Sequence, residues 1–243
     1  MKRFIAALAS FALAGTLFGC RSSEPAEPAD EDTGAPAEVQ DEAQPQELQI
    51  SDSGYILNEG YVYYAVEVKN PNAAYGTADA TLHISSKAAD GAIVFTDDWD
   101  IGPFPPESTT YWATQAGNGN SQDSDTVTFT INVNDDSGWM PADKNTEKGL
   151  YDITDASIQT DEAGFYDATG EIKLKDVTPV LGIDPKTPMI VCVLRDSTGK
   201  IMTGFEGYQE NDLKPGETTT FDISSAFGGV DYASADVYAN PWY

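Results

Sequence analysis

Basic residues are scarce in this sequence. Only 13 Lys and Arg stand against 40 Asp and Glu among 243 residues, which gives a formal net charge of −27. Such a charge repels phosphate along most of a protein surface, so we expect no nucleic-acid partner. By itself the charge indicates a solvated, self-repelling surface.

Histidine and cysteine are almost missing. His83 is the one histidine, and the two cysteines are Cys20 and Cys192. His83 alternates with Leu82 and Ile84, which predicts that it lies on the outer face of a strand. We therefore expect no serine or cysteine triad, no zinc site and no cofactor. A carboxylate-based hydrolase stays open as an alternative, since acids distant in sequence can meet in space.

Long apolar runs are also absent, apart from residues 4–18, FIAALASFALAGTLF, which follow Lys2 and Arg3. This run has 15 residues, whereas a membrane-spanning helix needs roughly 20. A positive start followed by a short apolar run is typical of a secretory signal peptide. We predict such a peptide over residues 1–19.

The run ends in Leu17-Phe18-Gly19-Cys20, which resembles the lipobox of bacterial lipoproteins. The resemblance implies that Cys20 carries lipid, palmitate included, and anchors the protein on the extracytoplasmic face of a cell membrane. In an organism with two membranes, this means the outer membrane or the periplasm. A lipidated Cys20 leaves Cys192 without a disulfide partner. Cys192 follows Ile84 by the same displacement that relates Gly91 to Gly199, so we expect it to be buried as an apolar residue. An ordinary signal peptide with a chance cysteine is the alternative.

Residues 20–47 have the composition of a disordered tether. They hold nine acidic residues, four prolines and one basic residue, Arg21. Such a segment buries too little apolar surface to offset the entropy of ordering. We predict that it holds the folded part away from the membrane, with a specific acidic binding tail as the alternative.

From residue 50 onward the apolar residues recur with a period of two. The clearest example is 126–134, where Val127, Phe129, Ile131 and Val133 alternate with polar residues. This pattern indicates half-buried strands. Turn signals such as Asn70-Pro71-Asn72 separate the runs. Short strands with regular turns predict an all-β fold built from antiparallel β-sandwiches.

The pattern occurs twice along the chain. A nearly constant displacement relates Glu67 to Glu171, Gly91 to Gly199, and Pro106 to Pro215. The displacement grows slightly from the first pair to the last, as small loop insertions would make it. We predict two tandem domains of one kind, 48–136 and 150–243, joined by a linker over 137–149.

The second copy resembles the FxLYD-type domains of bacterial surface lipoproteins. The similarity lies in Gly170-Glu171-Ile172-Lys173, in the turn Asp196-Ser197-Thr198-Gly199, and in Pro215-Gly216-Glu217. The resemblance implies that both domains are immunoglobulin-like β-sandwiches. It implies no chemistry, because these motifs belong to strands and turns.

Tyr61 and Tyr63 are the candidate ligand-facing residues. They alternate with Val62 and Tyr64, which we expect to face the core, so we expect Tyr61 and Tyr63 on the outer face of the strand. Exposed aromatic pairs can bind a glycan, a solute or a peptide. Cross-strand pairing or contact with the neighbouring domain is the other interpretation. We expect a non-enzymatic surface lipoprotein that binds an envelope or extracellular protein or glycan, or that serves as a spacer.

Overall fold

The computed structural model describes residues 44–134, 138–142, 149–175, 181–182, 185–209 and 211–242. They form fourteen strands and a 3-10 turn at Ser121–Asp123, and all strand pairs among them are antiparallel. The all-β prediction is therefore confirmed. None of the described residues belongs to a helix long and apolar enough to cross a bilayer.

The first half contains β1 (Gln49–Asn58), β2 (Tyr61–Lys69), β3 (Tyr75–Gly76), β4 (Ala80–Lys87), β5 (Ile93–Ile101), β6 (Thr109–Ala116) and β7 (Thr126–Val133). The second half, with the connection before it, contains β8 (Met140–Pro141), β9 (Tyr151–Thr160), β10 (Phe165–Leu174), β11 (Pro188–Arg195), β12 (Ile201–Tyr208), β13 (Thr218–Gly228) and β14 (Ser234–Pro241).

Both halves build two three-stranded sheets with one connectivity. The strand orders are β1-β2-β6 and β5-β4-β7 in the first half, and β9-β10-β13 and β12-β11-β14 in the second. In each half the first, second and fifth long strands form one sheet, and the other three form the second sheet. The displacement that relates Gly91 to Gly199 also relates Ile93, which begins β5, to Ile201, which begins β12.

The first half encloses a core between its two sheets. Leu82 and Ile84 of β4 are buried in one cluster with Val62, Tyr64 and Val66 of β2. The polar residues between Leu82 and Ile84 and on either side of them stay partly accessible, as the period of two predicts. Each buried aliphatic side chain contributes roughly 1.5–3 kcal/mol to folding.

Strand β11 joins the two halves, because it is buried on both faces. Met189, Val191 and Val193 lie in the buried cluster of the first half. Cys192 and its neighbours on the other face lie in the cluster of the second half, where Cys192 is 0% exposed. The prediction that Cys192 is buried is therefore confirmed, and burial raises the pKa of its thiol to about 12. The described residues from 44 to 242 form one compact unit.

Small residues allow the sheets of the two halves to approach closely. Gly204 of β12 faces Ala65 and Ala113, and a Cβ added at Gly204 would lie 3.0 and 2.9 Å from their methyl carbons. A Cβ added at Gly54 of β1 would lie 2.1 Å from the carbonyl oxygen of Ile201. The Thr203 hydroxyl donates a hydrogen bond to the backbone oxygen of Tyr63 over 2.9 Å. Strand β12 therefore crosses the β1-β2-β6 sheet in direct contact with its backbone.

An aromatic and charged network closes one side of this contact. The rings of Tyr111 and Tyr238 stack with their centroids 3.8 Å apart. The Arg195 guanidinium lies over the Tyr111 ring at 5.6 Å, and its Nε donates to Asp236 over 2.8 Å. These groups come from both halves, so the network fixes the halves to each other.

Both predicted connecting segments have ordered parts. At the end of the predicted tether, the Gln46 amide donates to Asn72 Oδ1 over 2.7 Å, and Asn72 Nδ2 donates back to the Gln46 oxygen over 2.8 Å. Within the predicted linker, β8 pairs with β3 of the first half. The chain is thus attached to the folded unit from Gln46 onward.

Candidate functional site

The predicted lipid-attachment site lies outside the described residues. This holds for Cys20 and for the lipobox positions Leu17, Phe18 and Gly19. Their role stays a prediction.

The two candidate tyrosines do not form an exposed pair. Tyr63 is 9% exposed, and its ring centroid lies 5.0 Å from that of Phe227 in the second half. Tyr61 is half-buried against the same cluster. The exposure expected for Tyr63 is not observed, because the second half covers this face of the β1-β2-β6 sheet. Contact with the neighbouring domain, the other interpretation, describes what Tyr63 does.

His83 lies on the accessible face of β4, as predicted. Its Nδ1 is 2.6 Å from Asp98 Oδ1 on the neighbouring β5, and both side chains are substantially exposed. An exposed ion pair of this kind contributes little to stability. The second half has an equivalent of Asp98 at Glu206.

A cleft of about 440 Å³ lies where edge strands of the four three-stranded sheets meet. We call it the edge cleft. Its wall comes from strands β5, β6, β12 and β13, from Tyr63 of β2 and from Gly117 after β6. The lining residues are Tyr63, Asp97, Trp99, Thr114, Gln115, Gly117, Phe205, Glu206, Ser224 and Ala226. The cleft exists only because the two halves pack together.

Glu206 contributes a partly buried carboxylate to this cleft. Its Oε1 accepts a hydrogen bond from the Thr114 hydroxyl over 2.7 Å, across the contact between the halves. Burial raises the pKa of Glu206, while the hydrogen bonds from Thr114 and from its own backbone oppose this effect. No ion pair involves Glu206 within the part of the chain that the structure describes.

Asp97 contributes the second carboxylate from the core-facing side of β5. It lies on the same face of β5 as the buried residues Phe95 and Ile101. Its oxygens accept hydrogen bonds only from backbone amides, that of Asp98 at 3.0 Å and that of Gly117 at 3.4 Å, among the described contacts. Two carboxylates therefore line the cleft, and the described wall includes no Lys, Arg or His.

The Tyr64 hydroxyl and the Trp99 indole nitrogen are buried and have no partner among the described residues. Tyr64 is 0% exposed and lies opposite Thr114 in the β2–β6 register. Its pKa is raised well above the usual range, first by burial and then by the charges of Glu206 and Asp97. Trp99 belongs to the wall of the cleft itself. Leaving such a buried atom unsatisfied costs about 1–3 kcal/mol.

Sequence reasoning missed the edge cleft, although one signal for it was present. Asp97 lies on the core-facing side of β5, where a charged side chain is unfavourable unless it is paired or hydrogen-bonded. Glu206 gave no such signal, because its parity is that of an outward-facing residue. Only the packing of the two halves buries it.

Within the described residues, no group of three or more His, Cys, Asp or Glu side chains is arranged to hold a metal ion. No model of a known protein family matches this chain, and no similar sequence is found among curated proteins.

Proposed function

We propose that the chain is a lipid-anchored lipoprotein on the extracytoplasmic face of a bacterial membrane and that its folded part is a non-enzymatic binding module. The observation that carries the anchor is Leu17-Phe18-Gly19-Cys20, directly after a positive start and a short apolar run. The acidic, proline-rich segment that follows supports a role in holding the folded unit away from the membrane.

We also propose that each half is an immunoglobulin-like sandwich of the FxLYD type. In immunoglobulin notation, a sheet of the first, second and fifth strands corresponds to A-B-E, and its partner sheet corresponds to C′-C-F. The strand orders β1-β2-β6 and β5-β4-β7, repeated in the second half, support this assignment. The family resemblance itself rests on the turn and strand motifs.

A binding role fits the folded unit better than a simple spacer does. A spacer needs only stable domains, whereas the edge cleft holds two carboxylates and the Trp99 indole nitrogen, which has no partner among the described residues. A concave site with aromatic walls and a few convergent polar groups is typical of small-molecule binding.

The anchor is tested by metabolic labelling of the full chain with radioactive palmitate in a bacterial host. Cys20→Ala should abolish incorporation and release the protein from membranes. Cys192→Ala is the matched control and should label like the wild type, because Cys192 is buried in the core. Equal labelling of Cys20→Ala and wild type would overturn the anchor.

A carboxylate-based hydrolase is the second candidate, and the edge cleft is the observation that favours it. Asp97 and Glu206 share this cleft, and the raised pKa of Glu206 suits a general acid. Mass spectrometry of envelope polysaccharide incubated with the full chain distinguishes the two functions. Shorter products that disappear with Glu206→Gln would indicate a hydrolase, and an unchanged mass distribution would favour binding.

A further inference from the structure

We propose that the edge cleft binds the ammonium group of an organic amine, with Glu206 and Asp97 as its counter-charges. The proposal deepens the binding role put forward above and rests on it. It concerns the folded unit and is independent of the lipid anchor.

The charge of the cleft is the first argument. Glu206 and Asp97 bring two carboxylates to one wall, and no basic side chain of the described residues joins them there. Glu206 is hydrogen-bonded to the Thr114 hydroxyl and Asp97 to backbone amides. A partly buried carboxylate without a cation is unfavourable in the free protein, and an incoming cation would relieve it.

The internal repeat shows that the cation is missing from one copy. The displacement that relates Gly91 to Gly199 also relates Asp98 to Glu206 and His83 to Val191. In the first half the acid faces a base, since Asp98 and His83 lie 2.6 Å apart. In the second half the acid is kept while the base is replaced by a buried valine. A ligand ammonium would supply the charge that the fold lacks at this position.

Buried polar atoms without partners belong to the cleft wall and to the strand beside it. The fully buried Tyr64 lies opposite Thr114 of the cleft wall in the β2–β6 register, and its hydroxyl has no hydrogen-bond partner among the described residues. The indole N–H of Trp99, on the wall of the cleft, is in the same situation. The indole N–H can only donate, so it would bond an oxygen atom of the ligand and not its ammonium group.

The size and walls of the cleft favour an organic cation over a bare metal ion. A volume of about 440 Å³ falls within the range of small-molecule pockets. Tyr63, Trp99 and Phe205 give it aromatic walls, which pack against carbon chains or rings and attract ammonium groups. A metal ion would find two carboxylates there, too few to surround it.

The test is isothermal titration calorimetry on the full chain, purified in detergent, at about 0.15 M salt to screen the acidic surface. Glucosamine and glucose form one probe pair, which differs by an ammonium group against a hydroxyl. Cadaverine is the second amine. We expect saturable binding of at least one amine, and at least tenfold weaker binding of glucose.

Glu206→Gln and Asp97→Asn should each weaken amine binding at least tenfold, because each removes one counter-charge. Asp98→Asn is the matched control: it removes the exposed acid at the equivalent repeat position, and binding should change less than twofold. The thermal midpoint of each variant verifies folding. Absence of saturable amine binding, equal binding of glucose, or equal losses for Asp98→Asn and Glu206→Gln would each overturn the proposal.

This result and the palmitate result can be told apart. Amine binding without palmitate incorporation would keep the site and reject the anchor. Palmitate incorporation without amine binding would keep the anchor and reject the site.

Discussion

Replacing Gly54 with alanine would place a methyl group of the first half against the backbone of the second. The added Cβ would lie 2.1 Å from the Ile201 oxygen, 2.6 Å from the Ile201 carbonyl carbon and 2.7 Å from the Met202 carbonyl carbon. Real Cβ contacts stay above 3.0 Å, so the closest pair must separate by about 0.9 Å. Because the obstructing atoms are backbone, no side-chain rotation can relieve the clash.

Overpacking of this kind typically destabilises a protein by about 1–3 kcal/mol. For a folded unit of this size, each kcal/mol lowers the midpoint by about 2–4 °C, so we expect a decrease of roughly 2–12 °C. The assay is thermal unfolding of the full chain followed by circular dichroism. Gln49→Ala, at an exposed position of the same strand, is the control and should change the midpoint by less than about 1 °C. A Gly54→Ala midpoint equal to that of the control would refute the close packing of the two halves.

Three further predictions concern single side chains. Glu206 has a raised pKa in the folded state, so its ionisation opposes folding, and stability decreases as pH rises through that pKa. The Glu206→Gln variant should therefore melt at a higher temperature than wild type at pH 7. This difference should shrink as pH falls toward 4.5, the ordinary pKa of the group. Melting curves of both proteins from pH 4 to 8 measure this, and a constant difference would contradict it. In the native Cys20→Ala chain, the buried Cys192 thiol, with its pKa raised to about 12, should resist a thiol reagent at pH 8. In denaturant the same thiol should react at once. Rapid reaction of Cys192 in the native chain would show that the core is open. Tyr63→Ala should lower the free energy of unfolding by about 3–5 kcal/mol in a urea titration, because it removes the ring packed on Phe227. Tyr63→Phe keeps the ring and should lower it by less than about 1 kcal/mol. Equal losses would mean that the hydroxyl, not the ring, stabilises the fold.

The period of two was sufficient to predict an all-β fold and the strands β2, β4 and β7. Leu82 and Ile84 are buried while His83 between them is accessible, because one face of β4 meets the core and the other meets solvent. The same reasoning was wrong for Tyr63, since its outward parity leads to a covered face. A period of two distinguishes two faces of a strand, but it does not say whether the second face meets water.

One sequence feature did carry information about the covered face. Residues 188–194, PMIVCVL, form an unbroken apolar run, which is typical of a strand buried on both sides. The repeat makes this clearer, because the equivalent positions of Val191 and Val193 are His83 and Ser85. Polar residues at a position in one copy and apolar residues in the other indicate that only the second copy is covered there. The identity of the covering sheet depends on contacts far apart in sequence, which a local pattern does not encode.

The edge cleft follows from this packing, and its chemistry could not be predicted before the packing was known. Glu206 has the pattern of an ordinary outward acid, and only the approach of β6 brings it to Thr114. The cleft therefore depends on the two halves behaving as one body.

Differential scanning calorimetry of the full chain tests this dependence most directly. If the halves form one unit, the folded part should melt in a single transition whose calorimetric and van't Hoff enthalpies agree. Gly54→Ala should move that whole transition to lower temperature. Two separate transitions, with only one displaced by Gly54→Ala, would contradict the single body and, with it, the edge cleft.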